Sequence, residues 1–254
     1  MKTISIVHKK GGAGKTTLAY MLASGALNLG LKVHLIDGDR NLQLANWKHR
    51  FEEYNWEIER PQWPHNLTHE NLHGSIDGLY EALDKAERNG INLTIIDTRP
   101  GSNEDTEDIA YAADLILIPL RANPADYELA KSTYDWMVAL RSSFPDMEQY
   151  PEIRMVLSDA SKGIIDAMAP ESDVSKITKS EYFVLSQLME MPFLDTPIPA
   201  SKVCEQLPFF GPLGPAAEAH EKNKGTKLQS KSITKILEFA TGLSKETLRY
   251  GGSV

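Results

Sequence analysis

The chain has 254 residues, 41% of them hydrophobic and 24% charged, ordinary values for a globular protein large enough to bury a substantial core. Its formal net charge of −8 argues against a surface coated in basic residues, although a local basic patch is still compatible with nucleic acid. Cys204 is the single cysteine, which excludes an internal disulfide framework or a multi-cysteine metal site within the chain, and no apolar run is long enough to span a bilayer.

Met1-Lys-Thr enters a strand-like run directly, without a signal-peptide pattern, so a cytoplasmic location is expected. That run, Ile4 to His8, ends abruptly in Lys9-Lys-Gly-Gly-Ala-Gly-Lys-Thr-Thr17. A helical pattern follows, with Leu18, Met21, Leu22 and Leu29 on one side. Lys32 to Asp37 reads as a strand ending in an acid, whereas residues 41 to 72, with Trp47, Trp56 and Trp63 among charges and prolines, give no clear period. Ile76, Leu79, Tyr80, Leu83 and Ala86 recur at helical spacing before a stop at Asn89-Gly90. Leu93 to Asp97 is the next strand and again ends on an acid. A short helix near 104 to 113 leads to a strand over Asp114 to Pro119.

Pro124 opens a long helix to about Ser142, with Leu129, Thr133, Trp136, Met137 and Leu140 expected to face inward. Ile153 to Leu157 reads as a strand, Ser175 to Met191 as a helix and Phe193 to Ile198 as a short last strand. Residues 208 to 225, rich in Pro and Gly, read as a loop, and Ile233, Ile236, Leu237 and Ala240 as a closing helix. Strands alternating with helices predict an α/β fold, a doubly wound, mostly parallel sheet with helices on both faces. It is expected to be one domain over residues 1–254 with a basic C-terminal helical segment at about 220–250, where seven basic residues face three acidic ones.

Three loops would meet at the C-terminal edge of such a sheet. In the first, Gly11, Gly12 and Gly14, with Ala13 between them, let backbone N–H groups turn inward as a nest for phosphate oxygens at a helix N-terminus. Lys15 adds a charge that reaches the β- and γ-phosphates, the Thr16 hydroxyl suits Mg²⁺, and Lys10 through Thr17 form the candidate ATP-binding segment. The second loop carries Asp37-Gly-Asp39, two acids two residues apart at a strand end. Such a pair suits metal support and orientation of an attacking water, or an Asx-type turn closing the strand. The third follows Asp97, an acid after an apolar strand that suits Mg²⁺; Arg99 beside it reads as a solvated loop charge or as a contact to phosphate, a partner subunit or DNA.

The general phosphate-loop pattern asks for Gly where Lys9 stands, and the segment instead reads KGGxGKTT. It resembles the deviant Walker A loop of the ParA/MinD ATPases, and Asp37 through Trp47 with Asp97 through Tyr127 looks most like the ParA-like ATPases of conjugative and T-DNA transfer, the VirC type. The resemblance implies a P-loop NTPase fold, slow hydrolysis of ATP with Mg²⁺, and a homodimer closed by ATP. By position, Lys10 would be the lysine that reaches the partner subunit's nucleotide, leaving Lys9 a bystander. Asp39 would orient the water, and Thr16, Asp37 and Asp97 would serve the metal. The family usually has Pro-Gln after its paired acids, and this chain has Arg40-Asn41. Ile198-Pro199 falls where the family's adenine pocket tends to be.

The resemblance further implies non-specific DNA binding by the ATP dimer, a nucleoid-associated location, and an adaptor partner that is a centromere-binding or relaxosome component. Lys222, Lys224, Lys227, Lys231 and Lys235 are the candidate DNA contacts, against the alternative of a solvated lysine face. A MinD-like membrane-cycling ATPase is the rival, but Ser244 to Val254 offers little apolar surface, so no stable membrane association is expected. Reductase ATPases with bridging cysteines are disfavoured by Cys204 alone, and a non-enzymatic nucleotide sensor would follow if the altered loop displaced Asp39.

Overall fold

The computed structural model describes the chain except residues 73–76, 102–103, 145, 170–173 and 252–254, and except the side chains at 104 and 224. In order the elements are β1 Lys2–Ile6, α1 Lys15–Asn28, β2 Val33–Asp37, α2 Trp47–Glu53, β3 Leu67–Asn71, α3 Leu79–Arg88, β4 Leu93–Asp97, α4 Glu104–Tyr111 and β5 Leu115–Arg121. They continue with α5 Pro124–Leu140, β6 Glu152–Ser158, α6 Lys162–Ala167, α7 Lys179–Leu188, α8 Lys202–Phe210, α9 Leu213–Lys222 and α10 Lys227–Thr247. The six strands pair in parallel in the order β3-β2-β4-β1-β5-β6. Helices cover both faces, which is why β1, β2 and β4 are buried along their whole length and read as unbroken apolar runs.

Register places the acids. Asp97 stands opposite Ile6 of β1 and opposite Asp37 of β2, so both strand-terminal acids share the edge from which the glycine loop leaves. Behind that loop, α1 is buried on every side over most of its length, rather than along the single stripe expected of it. The sheet covers one face and α10 the other. At Gly25 a Cβ would lie 1.9 Å from the Ala240 carbonyl oxygen, and the Ser244 hydroxyl donates to the Leu22 carbonyl at 3.0 Å. Ile233, Ile236, Leu237, Ala240 and Leu243 of α10 are thereby spent on the core.

Several expectations need correction. Residues 193–198 form no continuous strand: the segment touches β6 through a bridge at Phe193 and the Leu194 and Ile198 amides, which donate to Met155 and Leu157, and prolines at 192, 197 and 199 remove ladder donors. Residues 208–225 are not a loop. Gly211 at φ 67 ends α8 and Pro212 caps α9, while Pro208 lies within α8 and Gly214 and Pro215 in the first turn of α9. The tryptophan-rich stretch holds α2 and the edge strand β3. The helix expected from Ser175 starts at Lys179, behind a capping box of Thr178 and Glu181. Leu129 and Tyr80 face outward, and the buried face of α5 is Tyr127, Ala130, Thr133 and Met137. Ile76 lies outside the described residues.

Candidate functional site

The glycine loop leaves β1 and turns into α1 with Gly12 at φ 74 and Gly14 at φ 96, left-handed conformations that a side chain would strain. Gly14 is the N-cap of α1, so the first amides of the helix point into the loop. His8 braces the entrance, its Nδ1 accepting from the Lys10 amide at 2.9 Å. Burial, aided by the charge of Lys15, pushes His8 down to about 4, so it is a neutral acceptor at physiological pH. Lys15 is 7% exposed. Burial holds its amine below the ordinary lysine range, against the pull of Asp97 and Asp39.

Asp97 sits under this loop. The Thr16 hydroxyl donates to its Oδ2 at 2.6 Å, while Oδ1, equally buried, has no partner among the described residues. Burial pushes this carboxyl up to about 7, with Thr16 and Lys15 pulling the other way. A fully buried carboxylate oxygen without a donor, beside a threonine hydroxyl, is chemistry that suits a hard divalent cation with oxygen ligands. Thr16 and Asp97 therefore fit Mg²⁺.

Asp37, expected to support the metal, is engaged by backbone amides. Its Oδ1 accepts from the Asp39 amide at 2.9 Å, and its Oδ2 from the amides of Leu44 and Ala45 at 2.8 and 2.9 Å. Burial raises its carboxyl and the three amides draw it back. The Asx-type turn is what the geometry supports: Asp37 is occupied in folding the loop that follows β2. Asp39 is half-buried, with Oδ1 accepting from the Asn41 amide at 3.0 Å and its charge acting on Lys15.

The entrance lysines are both engaged by α5. Lys10, expected to reach the partner subunit's nucleotide, places Nζ 2.5 Å from Asp126 Oδ1 in the first turn of that helix. Burial would raise Asp126, but the hydrogen bonds from Lys10 and Asn123 hold its carboxyl below the ordinary range. Lys9 is held on the same helix. Its Nζ donates to the carbonyl and hydroxyl oxygens of Ser132, each at 3.1 Å, and lies 5.4 Å from the Trp136 ring centroid. Arg99 is held within the loop by a guanidinium nitrogen paired with Asp105 at 2.7 Å.

Beside Gly14 and Thr17 a cavity of 170 Å³ is lined by Arg121, Asp159, Ile198, Pro199 and Cys204 among others. Burial raises the Cys204 thiol to about 12, so it is inert there. A larger cleft of 480 Å³, between Lys32, His34, Glu70 and Lys85, opens at the opposite end of β2 and β3 and touches none of these groups. The candidate DNA lysines are not part of the site. Lys227, Lys231 and Lys235 stand exposed at helical spacing on α10, and Lys222 at the end of α9. The groove beside Lys231 and Lys235 also carries Glu221 and Glu238. The side chain of Lys224 lies outside the described residues.

Sequence reading missed His8, Asp126, Tyr20 and Arg50. The last two meet at the loop after β2, Arg50 donating to the Tyr20 hydroxyl at 2.7 Å. No periodicity signals such contacts, since the partners lie on separate elements.

A family model described as VirC1 protein matches residues 1–249. Protein virC1 of Rhizobium radiobacter is 32% identical over 143 residues, 56% of this chain and 59% of that protein. Protein virC1 of Rhizobium rhizogenes is 31% identical over 140 residues, 55% and 58% of the two. The match thus spans about six-tenths of those relatives' length. Among solved structures, apo McdA of Cyanothece superposes with a TM-score of 0.64 at 18% identity, covering 97% of this chain and 99% of that one. MinD of Aquifex aeolicus gives 0.61 at 19%, covering 97% and 98%. The pNOB8 ParA bound to nonspecific DNA gives 0.54 at 19%, covering 98% and 97%. At these identities the likeness shows the fold, the α/β P-loop fold of MinD and ParA.

Proposed function

The chain belongs to the VirC1 protein family, and from that premise and the site geometry we propose that it is a ParA-like, Mg²⁺-dependent ATPase working as a dimerising switch that positions plasmid or transfer DNA. The observation that carries the reading is the buried Asp97 carboxylate, one oxygen on Thr16 and the other without a partner, under a glycine loop that holds Lys15. Loop amides and Lys15 hold the phosphate chain of ATP. Thr16 and Asp97 are the residues that would hold Mg²⁺, and the ion would supply positive charge against the negative charge developing in phosphoryl transfer. Asp39 orients the attacking water, and Asp37 sets the loop on which Asp39 stands. Lys10 exchanges Asp126 for the partner subunit's nucleotide, closing the dimer, and slow hydrolysis reopens it.

In this reading residues 1–254 act as one unit, and the ATP dimer binds DNA without sequence preference through Lys222, Lys224, Lys227, Lys231 and Lys235. The pNOB8 ParA neighbour, described as bound to nonspecific DNA, supports DNA binding as part of the reading. An adaptor, a centromere-binding or relaxosome component, names the cargo. The apolar face of α10 is spent on α1, which disfavours a membrane-inserting C-terminus, and no helix among the described residues is long and apolar enough to cross a membrane. The deciding assay is phosphate release from ATP with Mg²⁺ or with chelator. Wild type is expected to turn over slowly and only with Mg²⁺, and Asp39→Ala to lose about 100-fold or more, the scale on which a catalytic positioning group acts. Equal rates in the two proteins would remove Asp39 from its role.

A further inference from the structure

The loop from Gly38 to Ala45 carries Asp39 and is held from two directions. On its inner side, Asp37 takes the amides of Leu44 and Ala45. On its outer side stands a polar knot built on Arg50 of α2. One guanidinium nitrogen donates to the Gln43 carbonyl oxygen and to the Tyr20 hydroxyl, and that hydroxyl itself donates to Gln43 at 2.7 Å. The Nε of Arg50 donates to the Pro208 carbonyl in the last turn of α8 at 3.3 Å. Tyr20 belongs to α1, the helix that begins with Lys15 and Thr16, and its ring packs on the buried Trp47 with centroids 4.4 Å apart.

Between the two clamps, Leu42 sits at φ 53, in the left-handed region. A leucine keeps that conformation only where its surroundings over-determine it. Arg50 supplies what the loop's own residues do not: a planar fork that reaches α1, the loop and α8 at fixed angles, which an ammonium group cannot reproduce at all three.

We infer that Arg50 is a positioning residue for hydrolysis: through Gln43 and Tyr20 it ties the Asp39 loop to the phosphate-loop helix and so sets where Asp39 stands. The inference rests on the ATPase reading above for its effect on rate, but the tie itself is measurable without turnover.

The test uses the full chain as wild type, Arg50→Ala, Arg50→Lys, Tyr20→Phe and the Tyr20→Phe/Arg50→Ala double variant. Amide hydrogen exchange over residues 38–46 reads the loop, and steady-state phosphate release against ATP concentration reads the chemistry. In Arg50→Ala the Leu44 and Ala45 amides are expected to exchange about tenfold faster or more, with the β1 and β4 amides unchanged. Its kcat is expected to fall about tenfold while KM for ATP stays within about twofold, because phosphate binding does not depend on the loop. Arg50→Lys should recover part of both effects, and the double variant should be no worse than Arg50→Ala alone, as expected of residues in one network. Unchanged exchange in Arg50→Ala overturns the inference. So does a parallel collapse of kcat, ATP binding and β-strand protection, which would make Arg50 a general stabiliser. If wild type releases no phosphate, the ATPase reading fails on its own, and the exchange data still decide whether Arg50 holds the loop.

Discussion

Removing the charge of Asp126 tests whether Lys10 is shared between two tasks. In one subunit Lys10 Nζ lies 2.5 Å from Asp126 Oδ1, with the lysine side chain 44% exposed and the aspartate 10%. A pair with one half-exposed partner contributes about 0.5–1 kcal/mol, the upper part of the range for surface ion pairs. If Lys10 must leave Asp126 to reach the partner's nucleotide, each dimer forfeits two such pairs, about 1–2 kcal/mol in all. Asp126→Asn keeps the shape and the amide cap from Asn123 but removes the charge. The ATP-bound dimer should then form roughly fivefold to thirtyfold more tightly, since 1.4 kcal/mol is a factor of ten.

The assay is light scattering against protein concentration, with ATP, in an Asp39→Ala background so that nucleotide is not consumed. Lys10→Ala in the same background should remain monomeric whether or not Asp126 is intact. An Asp126→Asn dimer that is no tighter than its parent, or looser, would refute the competition. Monomers from every variant would remove the dimer from the reading altogether.

Two further outcomes concern stability. Gly25→Ala would place a Cβ 1.9 Å from the Ala240 carbonyl and 2.4 Å from Ser244 Oγ, pushing α1 and α10 apart. Overpacking together with loss of the Ser244 hydrogen bond predicts about 2–4 kcal/mol of lost stability in urea titration, and a loss under about 0.5 kcal/mol would contradict the packing described. His34 is pushed down to about 4 by burial, with Lys85 adding to the effect and Glu70 opposing it. Its folded pKa lies below the unfolded value near 6.5, so the unfolded chain binds the extra proton between those limits. Stability from His34 is therefore complete above about pH 6.5 and lost as pH falls toward about 4, by up to roughly 3 kcal/mol. His34→Gln should flatten the pH dependence by about one proton in that window, and an unaltered slope would show that His34 does not titrate this way.

Five of the sheet's strands, β1, β2, β4, β5 and β6, and the acids ending β2 and β4 were legible because a parallel sheet covered on both faces turns such strands into short apolar runs; the edge strand β3 was not, and the apolar run at 193–198 was misread as a strand. Asp37 and Asp97 could be placed on one edge from that pattern alone. What Asp37 does there could not. Its partners, the amides of Leu44 and Ala45, become available only when the chain folds back after Asp39, a turn that includes a leucine at φ 53. The tryptophan-rich stretch was opaque for a related reason. Trp47 donates its indole N–H to the Leu207 carbonyl, 160 residues away, so its environment has no local period. Helix α1 misled in the opposite direction. Its apolar residues were read as one buried stripe, but α10 covers the opposite face as well, so α1 is buried on every side over most of its length.

The same distance rule governs the lysines. Counting from Lys15 assigned Lys10 and Lys9 by position, yet their partners, Asp126 and Ser132, lie 116 and 123 residues away on one helix. That helix begins at the end of β5, adjacent to β1, so the parallel sheet itself brings α5 beside the loop's entrance. The opposite flank leans elsewhere, with the Asp39 loop tied through Arg50 to α1 and to Pro208 of α8. The phosphate loop therefore lies between an α5 flank that holds Lys10 and an α8 flank that holds Asp39. On the proposed cycle, closing the dimer draws on the first and hydrolysis on the second. Substitutions at Asp126 should then move the dimerisation constant with little change in kcat per dimer, and substitutions at Arg50 should do the reverse. A variant on either flank that shifts both quantities together would show that the two are mechanically one.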